Sequence, residues 1–323
     1  MSRRLVVTGG GGFIGSHVVE RLLAQERCVT VIDDFSTGAR ENLAAVAHRI
    51  ELVEGDLHTV LTSRLLAFDQ CDAVVHFAGN PYVPWSVDNP PLDFDLNLRN
   101  SFELLETLRA CRTPPLFVNV SSAAVYGDPG SMAIREADPT VPISPYGVSK
   151  LAAEAYARAY SHCFGLRTVS LRLFSVYGPR QRKQVVFDLI RKCRATPHRI
   201  EVLGDGTQER DLVYVTDVAD AVVMVLEKAP ARGEAYNVAS MATYSLATLV
   251  DAITRACGVT PEIAWTGRVR PGDAQRWTAD SSLLQALGWR PAVSLTTGLE
   301  AVRAWYDASD PEPARPATTR ATA

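Results

Sequence analysis

Tyr146 and Lys150 are the pair of side chains with the clearest capacity for acid–base chemistry. They stand four residues apart in the segment Ser144–Lys150, and in a helix this spacing places both side chains on one face. Pro145 is tolerated in the first turn of a helix, and the residues after it predict a helix that ends at Gly165. Because a lysine ammonium favours a nearby phenolate, we expect a lowered pKa for Tyr146 and proton transfer near neutral pH. The same spacing also occurs where a tyrosine merely packs on a lysine stem, so other segments must decide.

A glycine-rich turn predicts a binding site for a dinucleotide. The apolar run Leu5–Thr8 predicts a strand, and a helical pattern begins at Ser16. Between them, Gly9, Gly12 and Gly15 permit a tight turn, close approach of a pyrophosphate and close packing of the helix on the sheet. The N-terminus of that helix would offer its N–H groups to the phosphates. A flexible glycine loop is the alternative interpretation.

Acidic residues follow the next two predicted strands. Asp33 and Asp34 end the strand Val29–Ile32, where a carboxylate can accept hydrogen bonds from ribose hydroxyls. A carboxylate there would repel a 2′-phosphate, so we expect NAD rather than NADP. Asp56 follows the strand Glu51–Val53 and could either face the adenine or serve as a turn or cap residue.

Two later strands deliver small and hydroxyl side chains to the same sheet edge. Asp72–Phe77 predicts a strand, and the small residues Ala78 and Gly79 after it allow a cofactor to lie across the strand end. Leu116–Val120 predicts the next strand and is followed by Ser122. Because ligands bind at the carboxyl ends of parallel strands, Ser122 is a candidate for the reaction site.

Alternating strands and helices predict the fold class, which is α/β with a doubly wound parallel Rossmann sheet and a smaller C-terminal α/β substrate domain. We expect the NAD-binding Rossmann domain to span residues 1–174, with 212–240 returning to it. The substrate domain is expected at 175–308. The tail at 309–323 is rich in Pro, Ala and Thr, and we expect it to be disordered.

The composition excludes several classes of partner. The 323 residues carry a net charge of −3, which gives no reason to expect nucleic acid or an anionic membrane as a partner. The sequence has no apolar run long enough to span a bilayer and no long apolar stretch of a signal peptide. The six cysteines include no Cys-x-x-Cys pair. We therefore expect a cytoplasmic protein without disulfides or a metal site.

Seven segments taken together resemble one enzyme family. In order they are TGGGGFIGSH, DDFSTG, SSAAVYG, SPYGVSK, VYGPRQ, GDGTQERDLVYVTDVADA and RPGD…AD…LGW. This series resembles the extended short-chain dehydrogenase/reductases that act on nucleotide-diphosphate sugars, and most closely the NAD-dependent NDP-sugar 4-epimerases of the UDP-glucose and UDP-glucuronate type. The resemblance extends from residue 3 to about residue 306.

The resemblance implies a set of residues that bind the cofactor. Gly9, Gly12 and Gly15 would hold the NAD pyrophosphate together with Phe13 and Ile14. Asp33 would hold the ribose, and Asp56 with Leu57 would flank the adenine. The remaining residues implied in cofactor binding are Asp34, Ser36, Gly38, Phe77, Ala78, Gly79, Asn97, Tyr146 and Lys150.

The resemblance also implies the reaction and its catalytic residues. Ser122 matches the catalytic Ser/Thr, Tyr146 the acid/base and Lys150 its partner. The implied reaction oxidises the sugar at C4, turns the keto sugar over and reduces it again, so that NAD is regenerated in each turnover. Arg210 and Arg270 match the residues that clamp the diphosphate of the sugar nucleotide, which suits guanidinium groups. Asp273 is implied beside them.

Two alanines separate this chain from relatives with other reactions. Dehydratases of the superfamily carry an acid pair directly after the Ser/Thr, and uronate decarboxylases carry a glutamate there. The chain has Ala123 and Ala124 at these positions, and alanine can neither deprotonate C5 nor protonate a leaving group. The alternatives to a 4-epimerase that stay open are another sugar-nucleotide-modifying enzyme, such as a reductase, and a non-catalytic NAD-binding protein.

Two substitutions bear on the sugar. Ser175 replaces the usual Asn, and Arg182 lies seven residues on. This pattern resembles the UDP-glucuronate 4-epimerases and could receive a C6 carboxylate, or it could be neutral drift with Arg182 solvated. Trp277 matches the position that gates the C2 substituent, so we expect poor use of UDP-GlcNAc unless this side chain is turned into the core.

The resemblance further implies a homodimer. In the family, the helices that match Leu92–Arg112, which carries Asn97, and Tyr146–Ser161 pack as a four-helix bundle between subunits. The expected small-molecule partner is a nucleotide-diphosphate sugar, with a UDP-sugar as the first choice.

Overall fold

A seven-stranded parallel sheet forms the centre of the larger part of the molecule. The computed structural model describes residues 4–130, 133–268, 272, 274–309, 311 and 313. The strand order is β10-β6-β5-β4-β1-β2-β3, and every pairing is parallel. The order changes direction between β1 and β4, and a crevice at such a point is where open α/β sheets bind ligands. The strands are β1 (Arg4–Thr8), β2 (Cys28–Asp33), β3 (Ile50–Glu54), β4 (Ala73–His76), β5 (Leu116–Ser122), β6 (Thr168–Leu173) and β10 (Arg232–Val238).

Helices cover both faces of this sheet. Adjacent residues of β4 show this, because Val75 packs in the core cluster with α1 and α8, whereas Val74 packs in the cluster with α5 and α6. Side chains of a strand alternate between faces, so strands buried on both sides are apolar throughout. The predicted doubly wound α/β fold is confirmed. The helices are α1 (Phe13–Ala24), α2 (Leu57–Thr62), α3 (Val83–Asp88), α4 (Pro90–Asp93), α5 (Asn100–Arg109), α6 (Pro145–Phe164), α7 (Gln184–Ala195), α8 (Val215–Lys228), α9 (Leu246–Cys257), α10 (Ser282–Ala286) and α11 (Leu295–Ser309).

The smaller part is built on short strands. A four-stranded sheet contains β7 (Ser175–Tyr177), β9 (Glu209–Tyr214), β11 (Thr243–Ser245) and β13 (Arg276–Trp277). A separate parallel pair contains β8 (Arg199–Val202) and β12 (Glu262–Trp265). Residues 212–214, which were expected in the Rossmann part, belong to β9 in the smaller sheet. The chain returns to the larger part with α8, which packs on α1, and with β10.

The helix expected at Leu92–Arg112 is interrupted. It is composed of α4, a π-helical segment at Phe94–Arg99 and α5, and it ends at Arg109. A π segment is a local widening that often marks a functional region. Further 3₁₀ segments lie at Arg40–Arg49, Phe68–Gln70 and Ala123–Tyr126.

The helix α6 has the ends that its sequence predicts. Its N-cap is Ser144, whose Oγ accepts a hydrogen bond from the N–H of Gly147 at 3.1 Å, and Pro145 occupies the first turn. At the other end Gly165 adopts a φ of 71°, which suits glycine because it has no Cβ. These two ends fix where Tyr146 and Lys150 lie along the helix.

The described residues contain no helix that is both long and apolar enough to cross a bilayer. In the tail, Ser309 is the last residue of α11 and Pro311 is buried. The other tail residues, apart from Pro313, lie outside the described residues.

Candidate active site

A cavity of about 690 Å³ opens at the carboxyl ends of the central strands. Most of the residues predicted for the cofactor and for catalysis line it together. They are Gly9, Gly12, Phe13, Ile14, Gly15, Asp33, Asp34, Ser36, Gly38, Asp56, Leu57, Phe77, Ala78, Gly79, Ser122, Tyr146 and Lys150. Arg182, which was predicted to bind substrate, lines the cavity as well.

The glycine turn shapes the wall of this cavity near β1. Gly9 has a φ of 70°, and its N–H donates to the carbonyl of Ile32 at 2.8 Å. A Cβ on Gly15 would collide with the carbonyl oxygen of Gly9, so only glycine lets α1 begin this close to the turn. Gly12 is the N-cap of α1 and no side chain caps that end. The first-turn N–H groups at the cavity therefore fit a pyrophosphate.

The acidic residues of the cavity are held by backbone N–H groups. The carboxylate of Asp33 accepts hydrogen bonds from the N–H of Gly11 at 2.7 Å and of Phe35 at 2.8 Å. Burial raises the pKa of Asp33, and these two bonds oppose that shift. Asp56 caps α2 by accepting from the N–H of Thr59 at 2.9 Å, and it also lines the cavity. Asp56 can therefore cap the helix and still face a bound adenine, so the two interpretations of this residue are compatible.

The candidate catalytic residues meet at the inner end of the cavity. Ser122 ends β5, and Tyr146 lies in the first turn of α6 and forms a hydrogen bond with the Ser122 hydroxyl. The Nζ atom of Lys150 donates to the carbonyl of Val120 at 3.1 Å and lies 5.8 Å from the centroid of the Tyr146 ring. One face of α6 thus presents a phenol and an amine to the same part of the cavity.

The expected lowering of the Tyr146 pKa is wrong for the polypeptide alone. Burial raises the pKa of Tyr146 to about 12, although the hydrogen bond with Ser122 opposes this shift. Burial also lowers the pKa of Lys150 to about 8. The helix spacing predicted that the two side chains would be near each other, but it did not account for the desolvation of both groups, which disfavours phenolate and ammonium.

A buried carboxylate that the sequence analysis missed also lines this cavity. Asp93, which is 1% exposed, accepts hydrogen bonds from the side chains of Asn80 at 2.6 Å, Asn97 at 2.8 Å and Ser149 at 2.8 Å. Asn97 is buried behind Gly79 and is not among the described residues that line the cavity. The sequence signal that could have revealed Asp93 is its position one helical turn before Asn97, which places the two side chains on one face of a helix.

A second cavity of about 300 Å³ adjoins the first. Arg210 lines it and donates to the carbonyls of Glu209 at 2.8 Å and Ala274 at 2.6 Å. The two cavities meet at residues that line both, which are Trp85, Arg182, Lys183, Gln184 and Pro313. Arg270 and Asp273, which were predicted to bind substrate, lie outside the described residues.

Ser175 and Trp277 are not among the described residues that line either cavity. The indole N–H of Trp277 donates to the carbonyl of Gly127 at 3.0 Å, and its ring packs on the small core cluster that contains Val125. The guanidinium of Arg210 lies over the same ring, at 5.2 Å from its centroid. The geometry therefore favours the interpretation in which Trp277 is turned toward the core.

A Rossmann sheet with a Ser–Tyr–Lys group at its carboxyl edge defines an extended short-chain dehydrogenase/reductase. The chain belongs to the NAD dependent epimerase/dehydratase family, whose model matches residues 5–239. The predicted family is thus confirmed, and with it NAD as the cofactor of the family.

Relatives cover nearly the whole chain. A putative UDP-glucose 4-epimerase from Methanocaldococcus jannaschii is 33% identical over 305 residues, which are 93% of this chain and 97% of that protein. The solved structure of Thermus thermophilus UDP-glucose 4-epimerase with NAD is 34% identical with a TM-score of 0.84, covering 95% and 99% of the two chains. The UDP-glucuronic acid 4-epimerase of Bacillus cereus is 31% identical with a TM-score of 0.86, covering 94% and 99%.

Proposed function

We propose that this protein is an NAD-dependent 4-epimerase of a UDP-sugar. The observation that carries the proposal is the group Ser122, Tyr146 and Lys150 at the inner end of the cavity, followed in the chain by Ala123 and Ala124. These alanines are 0% and 5% exposed and lack an ionisable group. The site therefore has the means to move a proton at a sugar hydroxyl, but these two positions supply no acid or base for elimination.

The proposed reaction needs one proton transfer in each direction. Tyr146, as phenolate, takes the proton of the C4 hydroxyl while Ser122 donates a hydrogen bond to the same oxygen. NAD, when bound in the cavity, supplies an acceptor for the C4 hydride and later its return. After the 4-keto sugar has turned about its diphosphate linkage, Tyr146 gives the proton back to the oxygen.

Lys150 assists by its charge. An ammonium close to the ring opposes the effect of burial on the Tyr146 phenol, and the positive charge of bound NAD acts in the same direction. The charge of the cofactor is needed as well, because burial raises the pKa of Tyr146 to about 12 although Ser122 and Lys150 are in place. The phenolate is thus expected to form only once the cofactor is in place.

The sugar is proposed to belong to either the UDP-glucose and UDP-galactose pair or the UDP-glucuronate and UDP-galacturonate pair. Relatives of both kinds are similar to this chain over nearly its full length. Arg210 in the second cavity would hold the diphosphate, since it is a guanidinium positioned by carbonyls on one side of an open space.

A panel of nucleotide sugars tests this function. The NAD-loaded protein is incubated with the glucose and glucuronate forms of UDP-, CDP-, GDP- and dTDP-sugars, and the products are identified by NMR. We expect the C4 epimer of a UDP-sugar and no lasting absorbance of reduced nicotinamide. Lasting reduction would instead indicate a dehydrogenase, a 4-keto-6-deoxy product a dehydratase, and no product a non-catalytic protein.

We further propose a homodimer through α5 and α6. Phe102 on α5 and Tyr156 and Phe164 on α6 are 38%, 42% and 54% exposed, and aromatic side chains this exposed on neighbouring helices favour a protein contact. Sedimentation at micromolar concentration should show a dimer, and a monomer would contradict the proposal.

A further inference from the structure

Two neighbouring cations lie where the two cavities meet. Arg182 and Lys183 line both cavities, and neither forms an ion pair among the residues that the structure describes. The Nε atom of Arg182 is buried and has no hydrogen-bond partner within that set. The Nζ atom of Lys183 donates to the carbonyl of Pro81 at 2.6 Å. Two positive groups with so few partners indicate that an anion completes this part of the site.

The surroundings of Lys183 strengthen this view. Its Nζ lies 5.5 Å from the ring centroid of Tyr82 and 5.3 Å from that of Trp85, so aromatic rings replace much of its water. Burial and the charge of Lys150 hold the pKa of Lys183 well below its usual value. An anion in contact would reverse that shift.

Another lysine of the second cavity differs from Lys183 in its partners. Lys192 also lines that cavity, but its ammonium is paired with the carboxylate of Asp188 at 2.7 Å and bonded to the carbonyl of Glu201 at 2.9 Å. Its charge is therefore satisfied within the protein, whereas the charge of Lys183 is not.

The helix that follows adds a third attraction for an anion. Lys183 is the N-cap of α7, which spans Gln184–Ala195, and this end has neither a side-chain cap nor an acidic residue in its first turn. The N-terminal end of a helix dipole favours negative charge. Two adjacent side chains and the helix end that follows them thus favour one anionic ligand at the junction.

A substrate could place either of two anionic groups at the junction, its diphosphate or a carboxylate at C6. The position of the junction in the site decides between them. The sugar C4 must reach Ser122 and Tyr146 in the first cavity, and the diphosphate is assigned to Arg210 in the second. The sugar ring therefore lies between them, at the junction. Lys183 lies on the catalytic side, because its Nζ donates to the carbonyl of Pro81, which lines the first cavity and is not among the described residues that line the second. The sugar carbon C6 is bonded to C5, the neighbour of C4, so a carboxylate at C6 would lie close to the reacting carbon.

We propose that Lys183, with Arg182, binds a carboxylate at C6 and makes a UDP-uronate the preferred substrate. The inference rests on the proposed epimerase function and deepens it. It also changes the residues expected to contact the carboxylate, because Lys183 takes the place that the sequence suggested for Ser175.

Equilibrium binding to the NAD-loaded protein tests the proposal. Titrations with UDP, UDP-glucose and UDP-glucuronate separate the nucleotide, the neutral sugar and the carboxylate. We expect the wild type to bind UDP-glucuronate about tenfold more tightly than UDP-glucose, as a charge-assisted contact would give. In Lys183→Met, which keeps an apolar stem between the aromatic rings, UDP-glucuronate should bind about tenfold more weakly, with about twofold change or less for the other two ligands.

Matched variants control for indirect effects. Lys192→Met removes a cation from the second cavity that is already paired, and it should leave all three affinities nearly unchanged. Lys183→Arg keeps the charge and should retain a preference for the uronate. If Lys183→Met does not fold, the proposal is still tested by the relative affinities of the wild type and of Lys183→Arg for UDP-glucuronate and UDP-glucose.

Several outcomes would overturn the inference. Equal weakening of all three ligands in Lys183→Met would place Lys183 at the diphosphate, and a wild type without preference for the uronate would remove the carboxylate site. The proposed function fails separately: if the uronate binds preferentially but its C4 configuration never changes, the epimerase proposal is refuted while the binding site stands.

Discussion

The cofactor end and the substrate end of the site differ in how their polar groups are held. At the cofactor end, Asp33 accepts hydrogen bonds from the backbone of the glycine turn and of its own turn, and Asp56 accepts one from the first turn of α2. At the junction with the second cavity, the Nε atom of Arg182 has no partner among the described residues and the ammonium of Lys183 has one carbonyl. The carboxylates of the first end thus have protein partners without a ligand, whereas the cationic side chains at the junction have few.

This difference indicates where specificity is determined. Side chains held by backbone N–H groups form a site for the cofactor of the family. Groups that depend on a ligand for their partners can be exchanged at little cost to the fold, because few protein contacts are lost. We therefore expect changes at the substrate end to alter which sugar is used, and changes at the cofactor end to alter whether any reaction occurs.

Removal of the Tyr146 hydroxyl, which lies between the two ends of the site, should have the largest effect on turnover. Tyr146→Phe deletes the proposed acid/base, so we expect turnover to fall by about 10²–10⁴-fold while NAD content and UDP affinity stay the same. Tyr156→Phe on the same helix, where the ring is 42% exposed, is the matched control and should keep full activity. Full turnover by Tyr146→Phe would refute the proposed chemistry.

A steric clash confined to the glycine turn should weaken NAD binding and leave substrate binding unchanged. In Gly15→Ala the new methyl group collides with the Gly9 carbonyl, so α1 must shift away from the turn. We expect the purified protein to contain far less NAD, with UDP affinity preserved. Gly258→Ala is the control, because Gly258 has a φ of 69° in open surroundings. It should cost about 1 kcal/mol of stability without loss of NAD, and unchanged NAD content in Gly15→Ala would contradict the assignment of this turn.

The smallest effect is expected at the proposed gate. Because Trp277 packs on the core cluster and bonds to the Gly127 carbonyl, Trp277→Ser should lower the melting temperature and leave turnover of UDP-GlcNAc unchanged. Assays with UDP-GlcNAc and UDP-glucose in parallel measure this. A selective rise for the N-acetyl sugar would restore the gate predicted from the sequence.

The parts of the molecule that follow from short segments were predictable. The glycine turn, the ends of α6 and the position of Ser122 depend on residues within a few positions of one another. Asp93 and Lys183 gain their roles from packing between distant segments, since Lys183 contacts the carbonyl of Pro81 across 102 positions. The direction of the Tyr146 pKa shift failed for the same reason, because desolvation depends on everything packed around the ring.

Epimerisation in heavy water tests the central claim most directly. If Tyr146 handles only the O4 proton and the hydride stays on bound NAD, the product UDP-sugar must retain hydrogen at C4 and C5. We predict that NMR of the purified epimer shows no deuterium at either carbon after many turnovers. Deuterium at C5 would reveal an elimination or a second base, deuterium at C4 would reveal exchange with solvent during inversion, and either result would contradict the proposed mechanism.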